Sequence, residues 1–234
     1  MPLSRRLFAE FVGTSLLLAA VVGSGVMGVR LAQGNDGIAL LANAGATGAV
    51  LYVLTVLFAP ISGAHFNPAV TLADASQRGL AWADVPGYVA AQCVGAIGGV
   101  WTAHAMFDER ILMLSTHARH GFAQMLSEFV ATFGLLAVIW GCSRQRSAAV
   151  PFAVGAYITA AYWFTASTSF ANPAVTIARA LTDTFAGIAP SDVPGFIGAQ
   201  LLGAATATAL FRWLVPPLAA TAGDVIVPHQ EVSP

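Results

Sequence analysis

The chain has 234 residues, of which 57% are apolar and 9% are charged, whereas about 25% of an ordinary soluble domain is charged. This composition all but excludes a water-soluble fold. Ten arginines and eleven acids give a net charge of −1, so the chain has no basic surface for nucleic acid. Two cysteines are too few for a disulfide framework, and five histidines lack metal-ligand spacing. We therefore expect no nucleic acid partner, no metal and no cofactor.

Charged residues mark where the chain meets water, because an ionised side chain is costly at the centre of a bilayer. Six long stretches carry at most one charge each, and four of them fit one spanning helix of about 20 residues. The second and fifth, with 37 and 32 residues, have room for a span and about half a helix. The pattern predicts an all-α membrane protein with six spans and two re-entrant half-helices, in the stretches 7–29, 37–73, 85–107, 120–143, 147–178 and 193–211.

The placement of arginine predicts the orientation of the chain. The first stretch is longer than the apolar core of a signal peptide, so we expect an uncleaved span. More arginines fall on the side of the two termini than on the other side, which predicts cytoplasmic termini. The two sets are Arg5, Arg6, Arg144, Arg146 and Arg212 against Arg30, Arg110 and Arg119. Residues 216–234 read as an irregular cytoplasmic tail.

Three segments recur in the same order along the chain. AEFVGTSLLLA (9–19) returns as SEFVATFGLLA (127–137), HFNPAVTLA (65–73) as FANPAVTIA (170–178), and VPGYVAAQCVGA (85–96) as VPGFIGAQLLGA (193–204). We therefore expect two repeats, 1–120 and 121–215, each with three spans. Because three crossings are an odd number, the second repeat must enter from the opposite side of the membrane. The two half-helices then meet near the midplane, where inverted-repeat proteins hold their substrates.

Each over-long stretch contains the tripeptide Asn-Pro-Ala, at Asn67-Pro68-Ala69 and Asn172-Pro173-Ala174. Asn is a preferred N-cap and Pro suits the first helical position, so each tripeptide starts a short helix. The preceding backbone is tolerated inside a membrane only where protein buries it or water solvates it. We expect its carbonyls and the two Asn amides to line a pore. The facing helix dipoles oppose cations there, so neutral polar solutes should pass.

These segments resemble the aquaporin and aquaglyceroporin (major intrinsic protein) family over residues 5–215. The resemblance rests on both NPA boxes, on the SGAHFNPAVT context and on Glu10 and Glu128. It implies six tilted helices, two half-helices, one pore in each protomer and a homotetramer in the lipid bilayer. The segment AYWFTASTSFANPAVTIAR resembles the sequences of a bacterial subgroup associated with arsenic resistance. That likeness implies an inner-membrane channel for arsenite, methylated arsenicals, glycerol-like polyols and water.

The sequence departs from the family at the narrow outer filter. Most members have Arg directly after the second NPA box, whereas this chain has Val175. By the family's spacing, the other filter positions fall on Thr47, Ala160 and Ser169. We therefore expect a wide, uncharged ring with two hydroxyls facing two apolar walls. The alternative is that Val175 only mirrors Val70 and that Arg179, one turn along, restores the constriction.

Four charged residues flank the half-helices in two i, i+4 pairs, which we interpret as local ion pairs. These pairs are Asp74 with Arg78 and Arg179 with Asp183. Arg179 reaching the filter remains the alternative.

Three further residues have two possible roles each. Glu10 and Glu128 lie inside spans, where an acid suggests a proton relay, but their equivalence in the repeats favours a structural role as acceptors for loop N–H groups. His65 lies near the cytoplasmic pore mouth and is either a titrating gate or a wall residue.

Two other classes of function remain as alternatives to a solute channel, besides a water-selective aquaporin. Inverted repeats with broken helices also describe ion-coupled secondary transporters, but these use acids near the breaks. An intramembrane hydrolase would need Ser62 or Ser169 with His65, and no third orienting group is visible. We therefore expect a passive channel and not an enzyme.

Overall fold

The computed structural model describes residues 1–145 and 147–214. The predicted tail, 216–234, lies outside this part of the chain. Proline stands in the first turn of five of the helices, where its missing N–H is not needed. The helices are α1 (Leu3–Ala32), α2 (Asp36–Ser62), α3 (Pro68–Ser76), α4 (Val85–Phe107), α5 (Phe122–Gln145), α6 (Val150–Phe164), α7 (Pro173–Arg179) and α8 (Val193–Leu214).

Six of these helices are long and two are short, which confirms the expected fold class. Five long helices are apolar and long enough to cross a membrane: α1, α2, α5, α6 and α8. The sixth, α4, has 23 residues, about 35 Å at 1.5 Å per residue, and packs along α1. Two of its glycines, Gly95 and Gly99, let the backbone of α1 approach closely.

The helix pairings repeat in the two halves of the chain. Helix α1 packs against α4, and its counterpart α5 packs against α8, while α2 and α6 pack against each other across the repeats. Gly95 faces the carbonyl of Phe11, and the equivalent Gly203 faces the carbonyl of Phe129. This matches the inverted repeat expected from the sequence.

Two faces of the bundle can be told apart by contacts between loops and helix ends. On the terminal face, Arg6 pairs with Asp84 at 3.1 Å and the Arg212 guanidinium donates to the Ser76 carbonyl at 3.4 Å. Both chain ends of the bundle therefore lie on one face. On the opposite face, Arg30 pairs with Glu109 at 3.0 Å. Segments 108–121 and 180–192 also meet there, through a hydrogen bond from the Ser115 N–H to the Ala180 carbonyl at 2.9 Å.

Candidate functional site

The two Asn-Pro-Ala segments begin the two short helices and bond to each other. The Asn67 side chain caps α3 by accepting from the Ala69 N–H at 2.9 Å. Its amide nitrogen donates to the Ala171 carbonyl at 2.7 Å, and the amide of Asn172 donates to the Phe66 carbonyl at the same distance. This crosswise pair joins the N-termini of α3 and α7. Each amide nitrogen carries a second N–H, which remains for the cavity described below.

The backbone before each half-helix adopts the left-handed conformation at three equivalent positions. Positive φ angles occur at Gly63, Ala64 and Phe66 and again at Thr168, Ser169 and Ala171. Five of these six residues are not glycine, so the conformation costs free energy at each of them. Such strain persists only where the surroundings impose it.

Glu10 and Glu128 supply part of those surroundings. Glu10 is fully buried and accepts hydrogen bonds from the backbone N–H groups of His65 at 3.0 Å and Phe66 at 2.7 Å. Glu128 accepts from Phe170 and Ala171, both at 2.9 Å. The carboxylates are also bonded by Gln92 and Gln200, which reach across to the hydroxyls of Thr71 and Thr176. Neither carboxylate lines the cavity.

A cavity of about 80 Å³ passes the point where the half-helices meet, which is room for several water molecules. Asn67, Asn172 and the residues of the two strained loops form one wall. The other walls are rows of side chains spaced four residues apart, so each row lies on one face of its helix. The rows are Leu17 and Val21 of α1, Thr47, Leu51 and Thr55 of α2, Leu135 and Ile139 of α5, and Val150, Val154, Ile158 and Tyr162 of α6.

Three of the four predicted filter residues line this cavity: Thr47, Ser169 and Val175. The assignment of Ala160 is wrong, because Ala160 is exposed on the outer side of α6. It lies two residues, about 200° of helical rotation, before Tyr162. Tyr162 occupies the place instead, and its hydroxyl is 3.3 Å from that of Thr47. The row of residues with spacing four on α6 is the sequence signal that would have identified it.

Arg179 lies beside the same ring of residues. Its guanidinium is stacked on the Phe170 ring, with the central carbon 3.4 Å from the ring centroid, and its Nε donates to the Ala186 carbonyl. The side chain is buried and lines the cavity. The expectation of a wide, uncharged ring is therefore wrong on two points, because Tyr162 is bulky and Arg179 brings a positive charge.

The two predicted ion pairs do not form between the residues concerned, all four of which the structure describes. Helix α7 ends at Arg179, so Asp183 is not one turn further along it. Asp183 instead accepts from the Thr116 N–H at 2.7 Å and the Thr116 hydroxyl at 3.0 Å, which lowers the pKa of this carboxyl. In the first repeat, Arg78 lies beyond the end of α3 and is exposed.

His65 also lines the cavity, on the side of the terminal face. Its Nδ1 is 3.0 Å from the Thr71 hydroxyl and its Nε2 is 3.5 Å from the buried Asp74 carboxylate. The imidazole also lies beside the Tyr88 ring, with 5.4 Å between centroids. These contacts hold the ring in the wall of the cavity. Among the described residues, no group of three or more His, Cys, Asp or Glu side chains has the arrangement of a metal site.

The site is thus a cavity between two joined helix N-termini, lined by the two Asn side chains, by hydroxyl groups and by aliphatic side chains. A family model described as Major intrinsic protein matches residues 1–167 and 142–233. The chain belongs to the major intrinsic protein family. As a member of this family it is a multi-pass membrane channel and not an enzyme.

Individual members of the major intrinsic protein family support this placement. The chain is 57% identical over 215 residues to aquaglyceroporin AqpS of Rhizobium meliloti (strain 1021), covering 92% of each chain. It is 35% identical over 151 residues to aquaporin NIP1-1 of Oryza sativa subsp. japonica, covering 63% of this chain and 52% of that one. The X-ray structure of the aquaglyceroporin from Plasmodium falciparum has the same fold. Its TM-score is 0.72 at 19% identity, and the match covers 94% of this chain and 99% of that one.

Proposed function

We propose that the chain is a passive channel for small neutral solutes that are polar on one side and apolar on the other, with glycerol-like polyols as the first class. The ring at the level of Thr47 carries this proposal. Thr47, Tyr162 and Ser169 present hydroxyls, while Val175 presents an aliphatic wall. A polyol exchanges its water hydrogen bonds for those hydroxyls and places its carbon atoms against the valine. The likeness to a protein named an aquaglyceroporin supports the same class.

Arsenite and methylated arsenicals are a second class that we propose for the same ring. Neutral arsenite carries three hydroxyl groups, so it offers the hydrogen-bonding groups of a small polyol. A methylated arsenical adds an apolar face that suits Val175. The uncommon valine directly after the second Asn-Pro-Ala box supports this extension.

An ion-coupled transporter is less consistent with the site. Such a protein needs ionisable groups at the substrate pathway. Glu10 and Glu128 stand near the helix breaks, but both are occupied by loop N–H groups and neither lines the cavity. We propose that both acids are structural.

The setting of the channel follows from the same reasoning. We propose a homotetramer in the inner membrane of a bacterium, with both termini in the cytoplasm. The excess of arginine on the terminal side supports this orientation, with Arg5, Arg6, Arg144, Arg146 and Arg212 against Arg30, Arg110 and Arg119. Arg6 and Arg212 bond to segment 76–84 on that face.

Stopped-flow light scattering on proteoliposomes tests the proposed function. We expect glycerol and neutral arsenite to enter faster than in empty vesicles, with linear dependence on concentration and none on a proton gradient. Water flux without glycerol flux would indicate a water-selective channel. Saturable flux that follows a proton gradient would indicate a transporter. Glycerol flux without arsenite flux would retain the polyol proposal and contradict the arsenic one.

A further inference from the structure

Two arginines converge on one aromatic ring at the end of the cavity nearest the opposite face. Arg119 comes from segment 108–121, and Arg179 is the last residue of α7. The central carbons of their guanidinium groups lie 5.1 Å and 3.4 Å from the centroid of the Phe170 ring. Arg119 is partly buried and Arg179 is only 2% exposed. The two positive charges are therefore close together and largely removed from water.

The hydrogen bonds of the two groups differ. The Arg119 guanidinium donates to the carbonyls of Gly187 at 2.8 Å and Ser167 at 3.2 Å. Arg179 donates through Nε to the Ala186 carbonyl. Its two terminal nitrogens have no hydrogen-bond partner among the described residues, and the side chain lines the cavity. These nitrogens are thus available to a molecule in the cavity.

The nearby carboxylates do not pair with either guanidinium in the described part of the chain. Asp192 accepts from the backbone N–H of Arg119 at 2.6 Å and lies 3.8 Å from the His120 ring. Glu128 is bonded to the loop before α7, and Asp183 is bonded to Thr116. The positive charge at this end of the cavity is therefore not neutralised by an ion pair.

A buried charge without a partner is costly, and a bound counter-ion relieves that cost. The guanidinium is a planar fork that binds carboxylate-shaped anions through two parallel hydrogen bonds. The Ser169 hydroxyl adds a second group, because it lines the same cavity, is buried and has no hydrogen-bond partner. Both groups face the same cavity, and each is a hydrogen-bond donor for an anion.

We propose that Arg179 and Ser169 bind a small, planar, monovalent anion of the carboxylate type. Arg119, which also contacts the Phe170 ring, adds to the positive potential at this site. A bound anion occupies the path of neutral solutes and slows their passage. The slowing of solute passage rests on the proposed channel function, whereas the binding of the anion does not.

Nitrate is a suitable probe because it has the shape of a carboxylate and no neutral form at ordinary pH. We expect nitrate to inhibit glycerol entry into proteoliposomes in a saturable way, compared with chloride at equal ionic strength. The half-inhibiting concentration should rise about tenfold or more in Arg179→Gln, because a charge-assisted hydrogen-bonded pair is lost. It should rise less in Arg119→Gln. Arg30→Gln, on the same face but paired with Glu109, is the matched control and should behave as wild type.

A binding measurement separates this proposal from the channel function. Nitrate should raise the thermal unfolding midpoint of the purified protein over chloride, since a ligand that binds only the folded state stabilises it. This difference should disappear in Arg179→Gln and persist in Arg30→Gln, even if glycerol flux is absent. If Arg179→Gln does not fold, Arg179→Lys keeps the charge, loses the fork and should weaken the nitrate effect. Equal nitrate effects in the wild type and the Arg179 variant, or none in the wild type, would overturn the proposal.

Discussion

At the scale of single residues, the narrow part of the channel depends on which side of α6 faces the cavity. Tyr162 continues the row Val150, Val154 and Ile158, and its hydroxyl is 3.3 Å from Thr47. Ala160 is exposed on the other side of the helix. We therefore propose that Tyr162, and not Ala160, limits the width of the ring together with Val175.

Replacing Tyr162 by alanine should widen the ring. We expect Tyr162→Ala to raise the permeability for a five-carbon polyol relative to water several-fold, because an aromatic side chain leaves the lumen. The ratio of two permeabilities from stopped-flow traces measures this and is independent of how much protein inserts. Ala160→Val is the control and should leave the ratio unchanged. If Ala160→Val changed that ratio and Tyr162→Ala did not, Ala160 and not Tyr162 would be the filter residue.

The buried acids give a second prediction at this scale. Glu10→Gln and Glu128→Gln each replace a carboxylate oxygen by an amide that cannot accept from a loop N–H. We expect a loss of about 2 kcal/mol or more in stability for each, since hydrogen bonds to charged groups contribute about 1.5–3 kcal/mol each. Thermal unfolding in detergent measures the loss. The two variants should behave alike, because the acids hold equivalent loops. An unchanged midpoint together with altered proton flux would instead support a proton relay.

At the scale of helices, close crossings in both repeats depend on glycine. A side chain at Gly95 would overlap the Phe11 carbonyl, and one at Gly203 would lie 2.5 Å from the Phe129 carbonyl. Backbone cannot move aside as a flexible side chain does, so the helix pairs α1–α4 and α5–α8 would have to separate.

Alanine substitutions test these crossings. We expect Gly95→Ala and Gly203→Ala to lower the unfolding midpoint and the yield of monodisperse protein, because overpacking costs about 1–3 kcal/mol. Two glycines of the same helices are matched controls. A Cβ at Gly98 meets nothing nearer than the Ser15 hydroxyl at 3.8 Å, and one at Gly198 meets nothing within 4 Å. Alanine there should be neutral or slightly stabilising. Equal effects at all four sites would show that general helix propensity, not the crossing, decides stability.

The sequence predicts the helices and half-helices well, but it predicts less well which way individual side chains point. The half-helices follow from Asn67-Pro68 and Asn172-Pro173, because capping is a local property that a tripeptide encodes. The equivalent acids follow from the repeat. Ala160 was misplaced because a count backwards from Asn172 assumes a fixed loop geometry between α6 and α7, and that geometry is set by tertiary contacts.

The charged pairs failed for a related reason. The i, i+4 rule holds only inside a continuous helix, and the two short helices end at Ser76 and Arg179. The usual side-chain direction in a helix favours Arg179 leaning towards the N-terminus of α7, but no local pattern indicates that its guanidinium stacks on Phe170. That position depends on the Ala186 carbonyl, seven residues further along the chain.

At the scale of the whole molecule, the inverted repeat makes the two mouths of the channel equivalent in backbone, but they differ in their side chains. The mouth towards the terminal face contains His65, held by Thr71 and Asp74. The other mouth contains Arg179, and Arg119 adds a second positive charge beside the same Phe170 ring. Because the two half-helices also direct their N-termini to the centre, a cation meets unfavourable charge from the opposite face to the midplane. Because the two mouths differ in charge, the orientation of the chain in the membrane decides whether the arginine mouth faces the cytoplasm or the outside.

Cysteine labelling measures that orientation in intact bacterial cells. In a chain whose Cys93 and Cys142 are replaced by serine, Arg78→Cys places a thiol on the terminal face and His120→Cys places one on the opposite face. Both positions are exposed, with 77% exposure of the His120 side chain. If the termini are cytoplasmic, a membrane-impermeant thiol reagent should label His120→Cys in intact cells and Arg78→Cys only after lysis. The reverse pattern would put the arginine pair at the cytoplasmic mouth. In that case the anion site would respond to cytoplasmic anions, and the arginine bias on the terminal face would not set the topology.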